Sequence, residues 1–231
     1  MVHSSVAALL GKTALFGSLS QADRLTVAGQ MHKATFKSGQ TIFARGDSGS
    51  DLYLVVEGRV RLSVFSLDGR TLSFKHAGAG EVFGEIAALD KGPRTADAIA
   101  LSRVEAMTLA QERLNPLIEA NPRVARAAIA FMCLRLRETS EQAEAIALHP
   151  IEVRLARFLL ARIKQRDASA SGSKVPLELG MSQNELALLI GASRQKVNAA
   201  LAHLEEEGAV KRTGNRLVCN ATRLARIGAP A

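Results

Sequence analysis

The 231 residues allow one large domain or two small ones, and a hydrophobic content of 47% excludes a disordered polymer. No apolar run reaches the ~18 residues of a membrane span, and the N-terminus MVHSSVAALLGKT lacks the basic start and apolar core of a secretory leader. The net charge of +8 is uneven: from His149 onward thirteen Lys and Arg face seven acids, which suits a polyanionic partner, a solvated basic surface being the plainer alternative.

Residues 20–33, SQADRLTVAGQMHK, are expected to form an amphipathic helix with Ser20 as N-cap and Asp23 at the capping-box position. From about Ala34 to Leu109 the texture changes to short strands, LYLVV, RVRLSVF, TLSF and VEAMTL, with Val60, Leu62 and Val64 alternating in the second. Turns fall at GDSG, EG and LDGR, where Asp68-Gly69 suits a tight hairpin. Many short strands at this spacing predict a small antiparallel barrel or jelly roll.

Within that region lies GEIAALDKGPRTA, residues 84–96. Arg94 supplies fixed positive charge, and the start of a one-turn helix over Glu85–Leu89 supplies N–H donors, a pairing suited to phosphate. Gly84 permits close backbone approach. Glu85 makes sense beside a phosphate if it accepts a hydroxyl instead, so the inferred ligand is a nucleotide with one phosphate and a free ribose hydroxyl. A triphosphate would need a P-loop or metal carboxylates, and neither is visible. Cys133 and Cys219 match no metal-ligand spacing, so the simplest reading is a reduced, cytoplasmic protein without a metal.

From Asn121 to about Leu148 the pattern is helical, with Asn121 as N-cap and Pro122 in the first turn. Ala125, Ala128, Met132, Leu136, Thr139, Ala143 and Ile146 recur close to a heptad, enough for a coiled-coil homodimer contact. Packing on the barrel through Phe131 and Leu134 is the alternative, and both are compatible with one helix. His149-Pro150 interrupts the pattern, and the helix IEVRLARFLLARIKQ, the polar loop DASASGSK and a short strand VPLEL follow.

In MSQNELALLIGASRQKVNAALAHLEEEGAV, Ser182 and Glu185 form a capping box for a helix that buries Leu186 and Ile190. Gly191-Ala192 makes a turn, Ser193 caps a second helix burying Val197, Leu201 and Leu204, and Gly208 ends it. This is the grammar of a helix-turn-helix, and VKRTGNRLV adds a hairpin wing. Arg194, Gln195, Lys196 and Asn198 are the expected exposed front of the second helix, and Lys211, Arg212 and Arg216 the backbone-facing wing residues. With Ser182 and Ser193 these make up the candidate DNA-binding set. A plain αα-hairpin with solvated charges is the alternative.

Over about residues 14–220 the chain resembles the cyclic-AMP receptor protein/FNR (Crp/Fnr) family of bacterial transcription regulators, most specifically in FGEIAAL…PRTA. RLRETSEQ and the helix-turn-helix stretch are similar to that family's central helix and DNA-binding unit. The resemblance implies an α+β chain with a jelly-roll cyclic-nucleotide-binding domain at 1–120, a central dimerisation helix at 121–148 and a winged helix-turn-helix at 149–231. It implies that Arg94 and Thr95 hold the cyclic phosphate, Glu85 the ribose hydroxyl, and that Gly84, Ile86 and Ala87 complete the cassette. Thr139 would face the base and Ser140 would come from the partner subunit. The effector implied is cyclic AMP, with cyclic GMP compatible through Thr95; double-stranded DNA with two-fold symmetry and RNA polymerase are the implied partners.

Gln195 and Ala199 depart from the family's glutamate and arginine, which puts the usual half-site in doubt. An iron–sulfur sensor is disfavoured because the N-terminal stretch has no cysteine; His76, beside Lys75, is read as a surface or packing residue rather than a haem ligand. Two other readings stand beside the leading one: a family regulator with another effector or none, and a regulatory module of an enzyme, for which no catalytic constellation is visible.

Overall fold

A computed structural model describes residues 2–66, 71–166, 174–213 and 216–229. The chain divides into two compact units, Met1–Arg70 with Phe74–Thr139, and Thr71–Ser73 with Ser140–Ala231. The elements in the first part are α1 (Val2–Leu10), α2 (Gln21–Gly29), β1 (His32–Phe36), β2 (Thr41–Phe43), β3 (Asp51–Glu57), β4 (Val60–Phe65), β5 (Thr71–Ala77), β6 (Val82–Phe83), α3 (Glu85–Asp90), β7 (Asp97–Ala100), β8 (Val104–Ala110), α4 (Gln111–Ala120) and α5 (Pro122–Leu148). Then come α6 (Ile151–Arg166), β9 (Val175–Leu177), α7 (Gln183–Ile190), α8 (Arg194–Glu206), β10 (Val210–Thr213), β11 (Arg216–Cys219) and α9 (Ala221–Ile227).

Two four-stranded sheets, ordered β1-β8-β3-β6 and β2-β7-β4-β5, form the roll expected from the strand spacing. Strand β3 shows how it coheres. Successive side chains point to opposite faces, and Leu52 and Leu54 enter a core shared with α1, α2, α4 and α5, while Tyr53 and Val55 enter the roll's interior. Both faces are buried, so the strand reads as a continuous apolar run. Strand β4 departs from the expected alternation: Val60 and Ser63 are both fully buried and Phe65 is exposed. Positions 60 and 63 lie on opposite faces, so coverage of both faces overrides the polarity pattern.

Ser20 caps α2 as expected, accepting from the Asp23 N–H and donating to its carboxylate at 2.7 Å. The helix stops at Gly29, four residues before the expected end, because His32 already pairs with Thr108 in the β1–β8 ladder. Helices α1 and α4 and strands β2, β6 and β7 were not anticipated. The Asp68-Gly69 hairpin lies outside the described residues, as does the loop at 167–173.

Helix α5 starts where expected, with the Asn121 side chain accepting from the Arg123 N–H at 3.0 Å. Its first half packs on the roll through Val124, Ala127, Ala128 and Phe131, so Ala128 of the heptad is spent on its own core. Leu136 and Leu148 stand about 70% exposed and Ile146 37%.

The second unit has a core of its own, with Leu155, Leu159 and Ile163 of α6 packed with Leu186 and Ile190 of α7, Val197, Leu201 and Leu204 of α8, and Leu224 of α9. The α7 capping box is complete: Glu185 N–H to Ser182 Oγ at 3.2 Å, and Ser182 N–H to Glu185 Oε2 at 2.8 Å. Gly191 turns the chain, Ser193 caps α8, and β10 and β11 pair antiparallel as the wing.

Candidate effector site and nucleic-acid interface

Helix α3 is the cassette helix expected from GEIAALD, one residue longer than read. Gly84 precedes it at φ 76, and a Cβ there would stand 2.9 Å from Arg94 Nη1 and 3.0 Å from the Asp51 carbonyl oxygen. Both the backbone conformation and the close approach require glycine. Gln111, at the start of α4, donates from Nε2 to the Ala88 carbonyl at 2.9 Å and holds the helix in place.

Arg94 is only 4% exposed. Its guanidinium lies 4.3 Å from the centroid of Phe43 and 5.7 Å from that of Tyr53, a desolvated cation–π shelf. Tyr53 in turn stacks on Phe83 at 4.9 Å. Nη1 donates to the carbonyls of Asp51 and Gly84 at 2.9 Å each, while Nε is buried without a protein acceptor. Gly49 passes so close that a Cβ there would collide with that Nε. Burial lowers the guanidinium pKa from its ordinary value, with Tyr53, Asp51, Asp47 and Glu85 opposing the shift. An arginine so placed stays charged and holds unspent donor capacity.

Glu85 is 6% exposed, and its Oε1 accepts from Arg135 Nε at 3.1 Å. Arg135 also donates to the Val82 carbonyl at 2.7 Å and to Glu138 Oε2 at 3.1 Å, and sits 4.9 Å above the Phe131 ring. The cassette acid is thereby tied to α5, a contact across fifty residues that the sequence reading missed. Thr139 lies one turn beyond Arg135 on the same helix face, as i,i+4 neighbours do. Ala87 is buried and Ile86 half-buried; Thr95, Thr139 and Ser140 are exposed. The structure thus assembles Gly84, Glu85, Ile86, Ala87 and Arg94 into one cradle, with Thr95 at its edge.

In the second unit Ser182, Ser193, Arg194, Gln195 and Lys196 are exposed around the turn and the start of α8. Asn198 is not: it is half-buried, with Oδ1 out of solvent and without a hydrogen-bond partner. On the wing, Lys211 is exposed, Arg212 is ion-paired to Glu205 and Arg216 to Glu178.

A roll with a candidate ligand cradle, followed by a winged helix-turn-helix, defines the class of a DNA-binding regulator. The cyclic nucleotide-binding domain model matches residues 33–121 and the Crp-like helix-turn-helix domain model residues 153–227. The chain is 34% identical over 197 residues to the cyclic AMP receptor protein of Thermus thermophilus, covering 85% of this chain and 88% of that one. It is 29% identical over 219 residues to the CRP-like cAMP-activated global transcriptional regulator of Mycobacterium tuberculosis, covering 94% and 97%. The structure of FixK2 from Bradyrhizobium japonicum shares the fold at a TM-score of 0.74 and 24% identity, over 87% of this chain and 98% of that chain. The chain belongs to the Crp/Fnr family, as a transcription regulator that binds cyclic nucleotide and DNA, and not as an enzyme. No described helix is long and apolar enough to cross a membrane.

Proposed function

We propose that the chain is a cytoplasmic, homodimeric transcription regulator whose effector is cyclic AMP. The observation that carries the reading is Arg94, buried on an aromatic shelf with Nε unpaired, beside the buried carboxylate of Glu85. A cyclic phosphate has the charge and acceptor oxygens that Nε lacks, and Glu85 has an oxygen left over from Arg135 to accept the ribose hydroxyl. Gly84, Ile86 and Ala87 present backbone, Thr95 a hydroxyl at the phosphate, and Thr139 and the partner's Ser140 complete the base side. The relatives' printed names, cyclic AMP receptor protein and cAMP-activated regulator, support cyclic AMP over cyclic GMP.

In this reading residues 1–120 bind the effector, 121–148 pair the protomers and 149–231 read DNA. Arg194 and Gln195 face base edges, Lys196 and the wing face phosphates, with Ser182 and Ser193 flanking them, and the DNA-bound dimer acts on RNA polymerase. Because Arg135 joins the cassette acid to α5, a ligand that engages Glu85 acts directly on the helix that leads, in chain order, into the reader. The ligand shifts the equilibrium only by its difference in affinity for the two helix arrangements.

Calorimetric titration with cyclic AMP and cyclic GMP tests the site. Arg94→Ala is expected to weaken cyclic AMP about 100-fold, the equivalent of about 3 kcal/mol from the missing charged hydrogen bonds. Unchanged affinity in that variant contradicts the assignment.

A further inference from the structure

Glu205, Glu206 and Glu207 stand at the C-terminal end of α8, where the helix dipole disfavours negative charge. Two of the three are answered by arginines. The carbonyl of Glu207 accepts from Arg223 Nη1 at 2.6 Å and its carboxylate lies 3.5 Å from Arg226 Nη2, which fastens α9 to the end of α8. Glu205 does more. Its Oε1 accepts the Arg212 backbone N–H at 2.7 Å, and its Oε2 accepts Arg212 Nε at 2.6 Å and is ion-paired to Nη2 at 2.5 Å.

Strand β10 is an edge strand of its sheet, ordered β10-β11-β9, so Glu205 also closes an edge amide. Arg212 hydrogen bonds hold the Glu205 carboxyl below its ordinary range, so it is ionised throughout neutral pH. Arg216 is held differently. Its pair with Glu178 is 69% and 57% exposed and involves no backbone group, the kind of interaction that contributes little and is given up readily. Charge-assisted hydrogen bonds are roughly twice as strong as neutral ones, and a phosphate taking Arg212 would break the Nε bond and the Nη2 ion pair and strain the backbone bond.

The geometry points to Glu205 as a positioning residue of the DNA reader that fastens the wing strand to the recognition helix through Arg212. Arg212 is then a brace, not a phosphate ligand, and the wing's phosphate contacts fall to Lys211 and Arg216. This rests on the DNA-binding reading and refines its contact set.

The test uses the full chain and three variants, Glu205→Ala, Arg212→Gln and Lys211→Gln, each checked for an unchanged fold by circular dichroism. Hydrogen exchange of residues 210–213 and affinity for a random-sequence duplex at several salt concentrations are measured. Glu205→Ala and Arg212→Gln are expected to speed exchange and weaken binding about three- to tenfold at fixed salt, leaving the slope of log K against log salt unchanged. Lys211→Gln is expected to leave exchange alone and reduce the slope by about 0.9 for each phosphate it no longer neutralises. A reduced slope in Arg212→Gln, tighter binding in Glu205→Ala, or unchanged exchange in both overturns the brace. If the wild type binds no duplex, the DNA reading fails while exchange still decides the brace.

Discussion

At the scale of single residues, burial gives Arg94 its meaning. Phe43, Tyr53 and the bare backbones of Gly49 and Gly84 make a space that holds the guanidinium but leaves Nε without an acceptor. Arg94 and Glu85 were legible because thirteen consecutive residues carry the whole cassette. Arg135 was not, since its contact with Glu85 crosses fifty positions and no local period announces it. Its i,i+4 spacing to Thr139 was the one available signal. Asn198 misled for the opposite reason: its polarity placed it outside, whereas it is half-buried with Oδ1 out of solvent. Lys91, which ends α3 at φ 62, is the one described non-glycine residue with positive φ. The left-handed region costs an L-residue about 1–2 kcal/mol, part of which glycine returns as unfolded-state entropy. Lys91→Gly is therefore expected to stabilise the protein by about 0.5–1 kcal/mol and raise the thermal midpoint by about 1–4 °C. A lowered midpoint contradicts this.

Among elements, those with strong local chemistry were read correctly. The Ser20 and Ser182 caps, the Gly191 turn and the Ser193 cap each follow from side chains that compete for helix-end N–H groups, or from glycine's tolerance of positive φ. Elements fixed by partners were not. Strands β2 and β6 have three and two residues, too few to show a period, and β1 exists because β8 pairs with it. Helix α5 packs on the roll through its first half and exposes apolar residues beyond. The dimer proposal therefore rests on residues such as Leu136, 69% exposed on the heptad seam. Leu136→Glu removes about 2 kcal/mol of apolar burial from each protomer of such a dimer, so sedimentation should show a dissociation constant about a thousandfold weaker. A variant as tightly dimeric as the wild type would place the contact elsewhere.

For the whole molecule, the excess of basic residues after His149 already pointed to nucleic acid, and the winged helix-turn-helix is what carries that charge. The roll and the reader each have their own hydrophobic core, so each is held together by its own packing. Charge and periodicity reveal such parts, but not the energy that couples them. Coupling between sites is typically about 1–3 kcal/mol, a 5- to 150-fold change in affinity. The most direct measurement is therefore an anisotropy titration of a duplex selected from random sequence by the cyclic AMP-loaded protein, at one fixed salt concentration. The account predicts that saturating cyclic AMP tightens binding of the wild type by about tenfold or more and leaves Arg94→Ala unmoved. Equal affinity of the wild type with and without the nucleotide would contradict it.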